Sequence, residues 1–170
     1  MPSNAATRFP IYDCGSIVKI LPLSSDWTAL NAKVDEMTPN GNTNVTIGLA
    51  WGWHALTSNA PLSEAAAPAP DIDKVLIILT DGTNTESWKN SNNTKVTGAA
   101  AIDLWTALAC TNIKAANIKI YAVRVIDGNA SLLESCASNS TMYFDVQSAS
   151  QLNAVFTAIA QNLANLRIAK

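Results

Sequence analysis

The chain is short of charge, of histidine and of long apolar runs, and each shortage removes a class of function. Only 14% of its 170 residues are charged, and eleven Lys and Arg against thirteen Asp and Glu leave a formal charge of −2. The basic residues are scattered, so no stripe exists that would neutralise a phosphate backbone, and nucleic acid is not expected as a partner. The longest strongly apolar runs, such as Val75 to Leu79, fall far below the roughly 20 residues a membrane-spanning helix needs. The opening MPSNAATRF has no hydrophobic signal region, so neither a membrane segment nor an export signal is expected in the chain as written. His54, the one histidine, stands between Trp53 and Ala55 with no Cys or Asp beside it, which argues against a catalytic triad or a zinc site. No G-x-S-x-G elbow, G-x-x-x-x-G-K-[ST] loop or G-x-G-x-x-G fingerprint occurs, so an α/β hydrolase or nucleotide-binding enzyme lacks its signature. The three cysteines, Cys14, Cys110 and Cys136, have no C-x-x-C spacing, and their odd number leaves one without a partner in this chain.

What is present is a chain 48% hydrophobic, long enough for one domain with a sizeable core. Ile17 to Leu23 (IVKILPL) reads as a short strand suited by its proline to a sheet edge. Trp27, Leu30, Val34 and Met37 recur at helical spacing and predict an amphipathic helix over Asp26 to Met37. A second helix is expected over Asn44 to Leu56, then a loop over Ala65 to Asp71, where two prolines resist helix. The run Lys74 to Thr80, closed by Asp81-Gly82, has the unbroken apolar character of a strand buried on both faces of a parallel sheet. Polar, Asn-rich Glu86 to Thr97 reads as an exposed loop. Ile102, Trp105, Ala109 and Ile113 mark a helix that Asn117 ends in the left-handed conformation, and Ile118 to Ile126 is the next buried strand. A short helix around Ser131 to Ala137, a strand from Met142 to Val146 and a final helix opened by a Ser148–Gln151 capping box complete the pattern. Strand alternating with helix means parallel strands joined by helical crossovers. The expected architecture is therefore a three-layer, doubly wound, Rossmann-like α/β fold whose ligands bind beyond the carboxyl ends of the strands.

Three segments carry a resemblance. GNTNVTIGLAWGWHAL (Gly41 to Leu56), KVLIILTDGTNT (Lys74 to Thr85) and IKAANIKIYAVRVIDGNASLLESCAS (Ile113 to Ser138), together with the ending YFDVQSASQLNAVFTAIAQNLANLRIAK, are similar to the von Willebrand factor A-type domain of TadE/TadG-like pilus-assembly proteins. The resemblance implies a partial domain over residues 17–170 behind an N-terminal extension over 1–16, lacking the family's first strand, first helix and second strand. It implies a non-catalytic protein-interaction module of a bacterial cell envelope, anchored there in the full-length protein, with other pilus-assembly or envelope components as partners.

That family holds Mg2+ in a metal-ion-dependent adhesion site built from an Asp-x-Ser-x-Ser loop, a threonine and an aspartate closing a strand. Thr43 and Asp81 match the last two, whereas no Asp-x-Ser-x-Ser stands upstream. A hard divalent ion wants several oxygen ligands in octahedral order, so two leave the site degenerate and its binding weak or absent. Each match has a plainer reading as well: Asp81-Gly82 as a strand-ending turn in which Asp caps the next amides, and Thr43 as a helix N-cap. Thr83 and Asp127, at neighbouring strand ends, are expected on the partner-binding face. Cys110 and Cys136 flank the strand Ile118 to Ile126 and are placed to meet across it as a disulfide, the alternative being two buried free thiols. Loss of a first strand would bare a hydrophobic sheet edge and invite self-association.

Overall fold

A computed structural model describes residues 18–39, 41–87 and 95–168, with side chains as far as Ala164. Among these residues five α-helices and five strands are formed: α1 (Trp27–Asp35), α2 (Val45–Ala55), β1 (Lys74–Thr80), β2 (Glu86–Ser87), β3 (Val96–Thr97), α3 (Ala99–Ala115), β4 (Ile118–Val125), α4 (Ala130–Cys136), β5 (Tyr143–Val146) and α5 (Leu152–Ile168). β1, β4 and β5 make a parallel sheet in that order, with Lys74 to Thr80 of β1 paired to Ile118 to Arg124 and Ala122 to Val125 of β4 paired to Tyr143 to Val146.

The helices sort onto the two faces as a doubly wound fold requires. On one face α2, α3 and α4 close over the sheet, packing Leu49, Cys110, Ile113, Leu133 and Cys136 against Leu76, Ile78, Ile118, Ile120 and Ala122. On the other, Ile159 of α5 meets Tyr121, Val123, Val125 and Val146. Side chains alternate along a strand, so β4, covered on both faces, is almost wholly buried. Each of its large apolar residues contributes about 1.5–3 kcal/mol of burial.

Local chemistry sets the element ends. Asp26 caps α1 by accepting from the backbone N–H groups of Thr28 and Ala29, and Asn44 caps α2 by accepting from that of Ile47. Asn117 ends α3 with φ +57°, the left-handed conformation expected of it. The Ser148–Gln151 capping box is formed, with one 3-10 turn (Ala149–Gln151) ahead of α5.

Four expectations are corrected. Residues 18–23 form no strand, and Ile17 lies outside the described residues; Pro22 withholds a ladder donor there. The Glu86 to Thr97 stretch is not all loop, because Glu86–Thr97 and Ser87–Val96 pair as an antiparallel ribbon, residues 88–94 lying outside the described set. Among the described residues β1 is fully covered on one face only: Leu76 and Ile78 are buried, whereas on the other face Val75 packs partly buried against the α5 side and Ile77 and Leu79 are 40% and 45% exposed. Its apolar run implied two covered faces, yet α5 lies over β4 and β5, and among the described residues β1 has a hydrogen-bonded neighbour on one side alone. α1 forms at its expected place but buries nothing, and Trp27, Val34 and Met37 face solvent. On α3 Trp105 is exposed, while Trp53 of α2 packs partly buried against the α2–α3 core.

Cys110 and Cys136 are joined in a disulfide with Cα atoms 5.1 Å apart. The bridge links α3 to α4 on one face of β4 instead of passing across the strand, since both helices pack on that face. Cys14 and the 1–16 extension lie outside the described residues.

Candidate functional site at the carboxyl ends of the strands

β1 and β4 run parallel, so the loops leaving their carboxyl ends emerge side by side. At the end of β1, buried Thr80 grips its own turn: Oγ1 accepts from the Gly82 N–H (3.3 Å) and donates to the Gly82 carbonyl (3.0 Å). The turn-gripping role that Asp81 was offered therefore falls to Thr80, and Asp81 is exposed at the loop tip. Thr43 is likewise not the α2 cap, which is Asn44. A Cβ on Gly82 would lie 3.5 Å from Thr43 Oγ1, so the threonine hydroxyl stands directly over the residue that follows Asp81. Thr43 and Thr85 lock together, the Thr43 N–H donating to Thr85 Oγ1 (2.9 Å) and the Thr85 N–H to the Thr43 carbonyl (3.0 Å).

The loop after β4 joins this face. Ile126 (φ +64°) and Gly128 (φ +117°) both take left-handed backbone, turning the chain sharply around Asp127. Asp127 Oδ1 accepts from the Gly128 N–H (2.7 Å), and a Cβ on Gly128 would sit 3.3 Å from the Gly82 carbonyl oxygen. Glycine is what lets the two loops touch. Arg124 braces the turn from behind, donating through Nε to the Gly128 carbonyl (2.9 Å) and through a terminal nitrogen to Asp145 (2.7 Å). The Asp145 hydrogen bond, foremost, holds this guanidinium above its usual range.

Thr43, Asp81, Thr83 and Asp127 thus converge on one end of the sheet, with Asp81, Thr83 and Asp127 exposed and Thr43 half-buried. Beneath them lies a polar network that the sequence reading missed. Asn84, 3% exposed, accepts the Val45 N–H on Oδ1 (2.8 Å) and donates through Nδ2 to Asp103 Oδ1 (2.6 Å) and Thr106 Oγ1 (3.2 Å). Thr106 Oγ1 lies 2.7 Å from Thr46 Oγ1. Asn129, the cap of α4, donates to Asp103 Oδ2 (2.8 Å). Asn after a strand end and Asn before a helix are legible as turn and cap; that both reach one carboxylate is not.

As a metal site this constellation is incomplete. Thr43 and Asp81 bring two oxygen donors, and among the described residues no three His, Cys, Asp or Glu side chains stand together. Six-coordinate oxygen ligation of a divalent ion would fall mostly to water, so these residues do not fit a resident ion by themselves. An apolar cleft of about 460 Å3 lies at the opposite end of β1 against Lys74, Val75, Ile72 and Leu163, away from this face.

The family model for the von Willebrand factor type A domain matches residues 6–158. The chain belongs to this family. Solved structures agree on the fold. Proximal thread matrix protein 1 from the mussel byssus is similar at 20% identity over 78% of this chain and 28% of that one, with a TM-score of 0.52. The same protein with a zinc-occupied MIDAS motif is 18% identical over 78% of this chain and 29% of that one, with a TM-score of 0.52. The pilus adhesin SpaC from Lactobacillus rhamnosus GG in its open conformation is 16% identical over 79% of this chain and 20% of that one, with a TM-score of 0.58. The chain therefore spans less than a third of the length of these solved proteins. Comparison with curated proteins gives no match. No helix among the described residues of this von Willebrand A domain is long and apolar enough to cross a membrane.

Proposed function

We propose that this von Willebrand A domain is a non-catalytic protein-interaction module of a TadE/TadG-like, Tad-type pilus-assembly protein in a bacterial cell envelope. Its partner meets the carboxyl-end face at Thr43, Asp81, Thr83 and Asp127, through an adhesion site that retains two ligands. The observation that carries the reading is the meeting of Thr43 with the Asp81-Gly82 turn, two segments 38 residues apart in sequence brought together at the end of β1. An interaction face needs exposed acceptors held on a rigid frame, and this one has them. A pilus adhesin among the structural relatives and a disulfide suited to an oxidising compartment support the placement.

Calorimetric titration with Mg2+ and Mn2+ tests the site. No micromolar binding is expected; micromolar binding lost in Asp81→Ala would mean a full ligand set and refute the degenerate site. Capture of Tad assembly components by the intact chain, lost in Thr83→Arg, tests the face itself. A second reading, self-association through β1, is favoured by the exposed Ile77 and Leu79 beside an edge that pairs with no strand among the described residues. Sedimentation would then show dimers that Ile77→Lys dissolves, whereas a monomer at high concentration excludes it.

A further inference from the structure

We propose that Asp103 is a positioning residue that ties the Asp81 loop and the Asp127 loop into one unit. Its two carboxylate oxygens are divided between them: Oδ1 takes the amide of Asn84, and Oδ2 takes that of Asn129. The other end of Asn84 holds the Val45 N–H, so the start of α2, where Thr43 stands, hangs on the same post. Each of Thr43, Asp81, Thr83 and Asp127 lies within three residues of a group in this network. The inference rests on the reading of these four as the interaction face.

A carboxylate suits the post because it is acceptor-only and presents two oxygens, each of which strengthens an amide hydrogen bond by its charge. An asparagine there would turn an NH2 group toward one of two amide donors and break one arm. The post itself is anchored. α3 buries Ile102, Thr106, Cys110 and Ile113 and is bridged to α4 by the Cys110–Cys136 disulfide, while the loops it holds are exposed at their tips. Loops 81–85 and 127–129 are far apart in sequence and share this one carboxylate, so a displacement of either is felt by the other through it.

Amide hydrogen exchange on the intact chain tests the proposal. Val45 and Thr85 report one arm, and Gly128 and Leu132 the other, because their N–H groups bond within the respective loops. Asp103→Ala is expected to speed exchange at both sets at least about tenfold while Ile120 to Val123 of β4 stay protected, since local opening is independent of the core. Asn84→Ala should loosen the first set alone and Asn129→Ala the second alone. Asp103→Asn keeps the shape and should release at least one arm. Unchanged exchange at either set in Asp103→Ala, or a uniform loss that includes β4, overturns the proposal. Partner capture separates it from the reading beneath: if Thr83→Arg leaves capture intact while the exchange pattern holds, the face assignment fails and the positioning role stands.

Discussion

Breaking the Cys110–Cys136 bridge should destabilise the domain by an amount its geometry allows one to work out. The two residues are 26 apart in sequence and close a loop containing the end of α3, all of β4 and α4. Cross-linking such a loop removes about 12 cal/mol/K of entropy from the unfolded chain, or about 3.5 kcal/mol at room temperature. For a domain of this size that corresponds to a fall in Tm of roughly 7 to 14 °C. Packing is nearly constant between the two forms, because both cysteines are 1% exposed or less in one apolar cluster, where free thiols behave as small hydrophobes. The assay compares urea unfolding of the oxidised protein with protein unfolded, reduced and refolded under reductant, in a Cys14→Ser background that prevents exchange with the third thiol. Burial adds a kinetic expectation: reductant applied to the native protein should leave the bridge intact until the domain opens. A reduced form within about 0.5 kcal/mol of the oxidised one would refute the reasoning, since the entropy model assigns it several times that.

Three further outcomes follow from the same structure. Tyr143 buries its hydroxyl with no hydrogen-bond partner among the described residues, so Tyr143→Phe should leave stability unchanged or raise it by up to about 1 kcal/mol, and a larger loss in urea melts would reveal a partner. Burial raises the phenol of Tyr121 and, with help from Asp145, that of Tyr143 above the usual 10.0. The unfolded chain then loses these protons first, so their contribution is complete below pH 10 and fades as pH climbs through the folded values; denaturation at pH 8 and 10.5 should show the drop, and Tyr121→Phe should shrink it. Gly128→Ala forces a side chain onto φ +117° and 3.3 Å from the Gly82 carbonyl oxygen, so a loss of at least about 1 kcal/mol is expected in thermal melts.

Much of the fold was legible because its signals are local. The stop of α3 at Asn117, the capping box at Ser148 and Gln151, and the strands closing at Thr80 and near Ile126 each depend on a few neighbouring residues. Where the reading failed, the deciding atoms were remote. The run IVKILPL has strand composition, but a strand exists only if a neighbour accepts its ladder, and residues 18–23 have none among the described residues. Val75 to Leu79 looked doubly buried because an apolar run cannot say which of its faces a helix will reach.

The site divides the same way. Asp81, Thr83 and Asp127 could be placed at strand ends from the alternation of elements, since parallel strands bring their carboxyl ends together whatever the side chains, whereas Thr43, which ends no strand, was named only by the family resemblance. The sequence by itself determined the α/β order and offered two cysteines suited to pairing, properties of period, cap and spacing, while the candidate face came from strand-end geometry together with the family resemblance. Only the tertiary structure decided that Asn44 and Thr80 take the cap and turn roles open to Thr43 and Asp81, that both cysteines lie on one face of β4, and that Asn84 and Asn129 share Asp103. Those are pairings between atoms distant in sequence, and packing against a common sheet is what selects them.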